Sequence, residues 1–128
     1  MIPYARQEIS EADIKAVVKV LKSDFITQGP VTPEFEKKVS KYCKSRFACA
    51  VNSGTSALHI ACLSLGVKKG DIVWTSPISF VASSNCALYC GANIDFVDID
   101  PISYNMSVDA LEEKLIKVEN QELLLMTL

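Results

Sequence analysis

The stretch Phe47–Gly66, FACAVNSGTSALHIACLSLG, constrains the fold more than any other part of the chain. Five small or apolar residues, Phe47 to Val51, have the length and composition of a buried strand. The polar group Asn52-Ser53-Gly54-Thr55 interrupts them, and a second apolar run then reads as a helix. The pattern is therefore strand, tight turn, helix start. The first backbone N–H groups of a helix have no partner within it, and the helix dipole places partial positive charge at the same end. An anion, most naturally a phosphate, fits there. Gly54 lets the backbone approach such a group, and the hydroxyls of Ser53, Thr55 and Ser56 stand beside the amides. The same residues also suit an ordinary capped helix start, and neither G-x-G-x-x-G nor G-x-x-x-x-G-K-[ST] occurs in the sequence.

With 128 residues, 49% of them hydrophobic and 22% charged, the chain is long and apolar enough to form a globular core. Its net charge of -2, from 13 basic and 15 acidic residues without strong clustering, argues against a nucleic-acid partner. The first ten residues, MIPYARQEIS, hold no apolar signal core, and no apolar run reaches the roughly 18 residues needed to span a bilayer. No membrane association and a cytoplasmic location are expected. Cys43, Cys49, Cys62, Cys86 and Cys90 lack C-x-x-C spacing and read as buried free thiols. Cys86 and Cys90 have i, i+4 spacing, but with one histidine in the chain no metal site is expected.

Along the chain, Ser10 reads as a helix N-cap with Asp13 three residues on and Ile9 and Ile14 as a hydrophobic staple. Ile14, Val17, Val18 and Leu21 then form one apolar face, expected to pack on a larger body. Asp24 to Pro30 is an irregular segment ending in Gly-Pro, a structural linker or a ligand-contacting loop. Thr32 as N-cap and Pro33 at the first helical position predict a second helix with Phe35, Val39, Tyr42 and Cys43 as its stripe. Ala57 to Leu65 is apolar nearly all round, as a buried helix would be, with Gly66 to close it and His59 as a packed core residue. A strand over Ile72 to Thr75 ends in Ser76-Pro77-Ile78-Ser79-Phe80, and a buried helix over Val81 to Cys90 stops at Gly91. A strand over Asn93 to Ile99 precedes a helix from Ser107 with Leu111, Leu115 and Val118 inward. Asp98 and Asp100 have the appearance of an acid/base or metal pair, but at a strand exit before proline they read better as turn formers.

Strands near 47, 72 and 94, each followed by a helix, predict a parallel sheet with right-handed crossovers. Ligands of such sheets bind outside the carboxyl ends of the strands. The Ser53–Ser56 turn and the Ser76–Phe80 segment would converge there, one offering a phosphate site and the other an aromatic face.

Taken together, IPYARQEIS, ITQGP, VNSGTSAL, TSPISFVASSN and FVDIDPISYNMS, in this order over residues 2 to 117, resemble the N-terminal third of the DegT-type sugar-nucleotide aminotransferases. The resemblance implies an α/β, three-layer fold type I architecture of pyridoxal phosphate (PLP) enzymes, of which this chain holds the first part of the parallel-type sheet with its flanking helices. It implies a helical segment with the substrate loop over residues 1–46, the first part of the PLP-binding large domain over 47–118, and an atypical tail over 119–128. Ser53, Gly54 and Thr55 match the turn that holds the PLP phosphate, and Phe80 matches the aromatic residue on the pyridine ring. Tyr4 and Asp24, Phe25, Ile26 and Thr27 match positions lining the sugar-nucleotide site, which turns the apparent linker into a substrate loop. The implied reaction transfers an amino group, from glutamate, to the C4 keto group of a UDP-linked 4-keto-6-deoxy sugar, in pseudaminic acid or related surface-glycan biosynthesis, by a homodimer.

Two departures qualify that expectation. The family's Schiff-base lysine and the aspartate facing the pyridine nitrogen lie beyond the matched part, and none of the eleven lysines here sits in that lysine's context. These residues alone are therefore expected to be catalytically inactive, with no catalytic residue among them. The tail ENQELLLMTL does not look like a continuation into the next strand and reads as truncated or frameshifted. A noncatalytic phosphate-binding or regulatory module, a nonfunctional remnant, and a related dehydratase on the same fold are the alternative readings.

Overall fold

The computed structural model of the chain describes residues 2–3, 5–119 and 125–127. It divides into two compact units, Met1–Ala50 and Val51–Leu128. The first is helical. Helix α1 (Glu11–Leu21) begins where its sequence signals place it. The Asp13 N–H donates to the Ser10 hydroxyl at 3.3 Å, and the Ser10 N–H donates to the Asp13 carboxylate at 2.8 Å. This reciprocal capping box satisfies two donors at once, and its hydrogen bonds hold the Asp13 carboxyl below its ordinary range. Helix α2 (Val31–Tyr42) has Pro30 at its N-cap in place of the expected Thr32, with no side-chain cap. Thr32 and Pro33 fall within the first turn, where a missing proline N–H breaks no intrahelical bond. The Ala50 N–H donates to Glu36 at 2.8 Å and ties the following segment back to α2.

The apolar stripes of these helices are uncovered, against expectation. No residue of α1 or α2 is buried; Ile14, Val17, Val18, Leu21 and Phe35 are exposed, and Tyr42 is 90% exposed. An amphipathic helix buries its stripe only against an opposing apolar layer. Within the unit α1 and α2 border an open cavity of about 460 Å³ and do not supply that layer to each other.

The second unit holds α3 (Gly54–Ser64), β1 (Ile72–Thr75), α4 (Ala82–Tyr89), β2 (Asn93–Phe96), α5 (Val108–Glu119) and β3 (Leu125–Thr127). The strands are all parallel in the order β2-β1-β3. Trp74 of β1 lies opposite Asp95 on one side and Thr127 on the other. Val73, Trp74 and Thr75 are buried, and Val73 joins Cys62, Val67, Cys86, Ala87 and Ala92 in the core. Gly66 and Gly91 follow α3 and α4 with φ of +81° and +78°, the left-handed closure that glycine adopts without strain.

Several expectations are corrected here. Phe47–Val51 forms no strand: a strand exists only through a hydrogen-bonded neighbour, and no described strand pairs with these residues. The tail does continue into a strand, because Leu125–Thr127 pairs with β1 as β3. Strand β2 ends at Phe96, three residues short of Ile99; the Val97 N–H still donates to Thr75 at 3.1 Å, and aspartate side chains take several of the backbone donors after it. Asp98 accepts the Ile99 N–H at 2.8 Å, and Asp100 accepts those of Ile102 and Ser103 at 3.1 and 2.7 Å. Both act as turn formers, and these bonds lower the Asp100 pKa. Helix α3 buries only Cys62 fully and leaves Leu58, Ile60 and Leu63 exposed. Among the free cysteines, Cys43 and Cys49 are exposed rather than buried, lying in the unit without a buried core. Burial, with the neighbouring Cys86 thiol, pushes Cys62 up to about 12. His59 packs edge-on against Tyr89, ring centroids 5.3 Å apart, as a packing residue would.

Helix α5 starts with the Ala110 N–H donating to the Ser107 hydroxyl at 3.2 Å; of its predicted stripe, Leu111 is half-buried, Leu115 is exposed, and the side chain of Val118 lies outside the described residues. No helix among the described residues is long and apolar enough to cross a membrane. Replacing the fully buried Trp74 by alanine is expected to cost about 3–5 kcal/mol. Urea unfolding followed by circular dichroism checks this, and a midpoint equal to that of the parent chain would contradict the placement of Trp74 at the centre of the sheet.

Candidate functional site

Because the strands are parallel, their carboxyl ends lie on one side of the sheet, where β1 gives way to Ser76–Val81. The Ile78 N–H donates to the Ser76 hydroxyl at 3.3 Å and turns the chain, while the Ser79 and Ser83 hydroxyls pair at 2.8 Å across the start of α4. Two adjoining cavities open at this turn. One, of about 180 Å³, is lined by Thr75, Ser76, Phe80, Ser83 and Phe96 among others. The other, of about 250 Å³, shares Thr75, Ser76, Ser79 and Ser83 and adds Leu58 of α3, Cys86 and Met106. Phe80 is 75% exposed, so its ring is available to a planar ligand.

Ser53 is extended, and its side chain accepts the Ser56 N–H at 3.1 Å and pairs with the Ser56 hydroxyl at 3.0 Å. The Ser56 hydroxyl donates in turn to the Asn52 side chain at 2.6 Å. Both serines are thereby engaged in capping. The Ala57 N–H donates to the Ser53 carbonyl at 3.0 Å, leaving the N–H groups of Gly54 and Thr55, the first two of α3, without acceptors in the helix. A Cβ on Gly54 would meet nothing within 4 Å, so the space beside the start of α3 is open among the described residues. The donor set fits a phosphate dianion.

Of the predicted substrate residues, Tyr4 lies outside the described residues. Asp24 and Phe25 border the 460 Å³ cavity of the first unit together with Lys19 and Glu34, and Ile26 and Thr27 are exposed beside them. The loop has a defined shape: the Ser23 hydroxyl donates to the Val20 and Phe25 carbonyls at 2.7 and 3.1 Å, and Gln28 takes φ +53°. A Cβ on Gly29 would stand 2.8 Å from the Phe25 Cβ and 3.1 Å from its carbonyl oxygen, so that close approach requires glycine. The four loop residues sit together in the first unit; Ser53, Gly54, Thr55 and Phe80 sit in the second.

Sequence reasoning missed Phe96, which the alternation of β2 hides, and Lys114, one lysine among eleven with its contact 18 residues away. The Lys114 ammonium lies 2.5 Å from Asp95 and 5.0 Å from the centroid of the Trp74 ring. Its hydrogen bond holds the Asp95 carboxyl below the ordinary value of 3.8. Among the described residues no cluster of histidine, cysteine or carboxylate side chains is placed to hold a metal ion.

Residues 7–121 match the DegT/DnrJ/EryC1/StrS aminotransferase family. The chain belongs to this family. It is 42% identical over 117 residues to the UDP-4-amino-4,6-dideoxy-N-acetyl-beta-L-altrosamine transaminase of Campylobacter jejuni, covering 91% of this chain and 31% of that one. A sugar aminotransferase of Streptococcus pneumoniae, solved in its PLP form, superimposes with a TM-score of 0.82 at 36% identity over 88% of this chain and 29% of that one. The Escherichia coli GDP-4-keto-6-deoxy-D-mannose-3-dehydratase, solved with bound hydrated PLP, gives 0.79 at 27% identity, covering 87% and 30%. The chain thus spans about three tenths of the length of the relatives it matches. The fold is a partial α/β domain of fold type I, and the cofactor of this family is PLP.

Two outcomes follow from the geometry. Gly54→Ala is expected to leave the thermal midpoint unchanged or raise it, by the equivalent of about 0.4–1 kcal/mol, whereas Gly29→Ala lowers it. Scanning calorimetry of both variants checks the contrast. Since the folded pKa of Asp95 is depressed, its ion pair contributes fully above 3.8 and is lost as pH falls through the lower folded value. Emission from Trp74, the only tryptophan, is expected to change across that acid window in the parent chain and not in Asp95→Asn.

Proposed function

We propose that these residues supply the N-terminal part of a PLP-dependent transaminase that places an amino group, donated by glutamate, on C4 of a UDP-linked 4-keto-6-deoxy sugar. The pathway is that of pseudaminic acid or a related surface glycan, and the working enzyme is a cytoplasmic homodimer. The observation that carries this reading is the pair of N–H groups at Gly54 and Thr55, without acceptors among the described residues, in the same unit as the Phe80-lined cavity at the carboxyl ends of the strands. Family membership and the 42% identity to the Campylobacter jejuni enzyme support the substrate class.

In this reading the Gly54 and Thr55 amides and the Thr55 hydroxyl hold the phosphate, with the α3 dipole favouring its charge. Ser53 acts by holding the turn through its bond to the Ser56 N–H at 3.1 Å. Phe80 lays its face on the pyridine ring and fixes its plane. Bound PLP supplies the electron sink and carries the amino group between donor and sugar. Asp24, Phe25, Ile26 and Thr27, with Tyr4, receive the sugar nucleotide. None of the eleven lysines has the family's Schiff-base context, so the 128 residues by themselves bind cofactor without turning substrate over. That same feature favours, as a second reading, a noncatalytic module binding a phosphate compound.

Titration of the chain with PLP, followed by absorbance, borohydride reduction and peptide mass spectrometry, tests the proposal. Saturable binding that competes with inorganic phosphate, weakens roughly threefold to tenfold in Phe80→Ala, and traps no single lysine is the expected result. Absence of saturable binding would overturn the cofactor site, and one specifically trapped lysine would overturn the assigned inactivity.

A further inference from the structure

We propose that Lys114 is a positioning residue for the aromatic wall of the cofactor cavity, acting through the open edge of β2; this rests on the cofactor reading above. Strand β2 ends the sheet order, so among the described residues one of its sides has no strand beside it. The Asn93 and Val97 N–H groups donate to Asp71 and Thr75 on the β1 side, at 2.9 and 3.1 Å. Backbone groups alternate in direction along a strand, so those of Phe96 face the open edge. An edge donor and acceptor of this kind are ordinarily left to water or to another strand.

Here they are closed by side chains. The Phe96 N–H donates to Asp95 Oδ1 at 2.7 Å, Lys114 Nζ donates to the Phe96 carbonyl at 2.6 Å, and Lys114 Nζ meets Asp95 Oδ2 at 2.5 Å. The ring is completed over the buried Trp74, whose indole faces the ammonium and which pairs with Asp95 across the ladder. The lysine side chain is 22% exposed and that of Asp95 54%, so the pair is half-buried from the lysine side only. Phe96 in turn lines the same 180 Å³ cavity as Phe80, which Lys114 does not touch. A residue of α5 thus fixes the backbone of a residue that faces the ligand.

The test uses the full chain with Lys114→Met, Lys114→Arg and Asp95→Asn, and two probes, PLP and inorganic phosphate. Amide hydrogen exchange at Phe96 is read by NMR. Lys114→Met is expected to speed that exchange about tenfold and to weaken PLP binding about fivefold, with phosphate binding unchanged. Lys114→Arg restores both within about twofold, and Asp95→Asn reproduces the pattern should Lys114→Met fail to fold. Unchanged exchange, unchanged PLP affinity, or equal loss of PLP and phosphate overturns the positioning role. If the parent chain binds no PLP while Phe96 exchange still responds to Lys114, the cofactor reading fails and takes the positioning role with it, although the edge ring itself stands.

Discussion

Strand β1 is hydrogen-bonded along both edges, to β2 and to β3, and Val73, Trp74 and Thr75 lose nearly all contact with water at this central position. Each of its inward residues then organises a different part of the unit. Val73 gathers Cys62 and Cys86 from two helices into one core. Trp74 receives the Lys114 ammonium. Thr75 marks the point where the chain leaves the sheet and opens the two cavities. Four residues of strand therefore set the core, the edge and the site, because a parallel ladder fixes all three directions at once.

The contrast between the two units follows from the same constraint. The second unit has a strand that other elements can cover, and it buries a core. The first has two amphipathic helices and, among the described residues, no sheet, and within these 128 residues its stripes are left exposed although their sequences are well formed. Amphipathic patterning states which face seeks cover; it does not supply the cover.

What was legible in the sequence follows that line. The Ser10–Asp13 capping box, the Gly66 and Gly91 closures, the Ile72–Thr75 strand and the aspartate turn were readable because each is decided by residues within a few positions of one another. The Ser53–Thr55 turn was readable for the same reason. Phe47–Val51 and the tail depart from their sequence pattern because strand pairing is decided by distant neighbours, which a local apolar run does not specify. Phe96 and Lys114 escaped notice for the same cause, since their relation exists only after α5 returns across β2.

The cradle at the start of α3 is built from peptide groups, with the Ser53 and Ser56 side chains turned inward to brace it. Peptide groups are common to nearly every amino acid. The two N–H groups at Gly54 and Thr55 survive replacement of a side chain, whereas the Thr55 hydroxyl does not. What removes the pair is a change in the path of the chain: an inserted residue, or a proline in place of Gly54 or Thr55, which deletes one of the two donors.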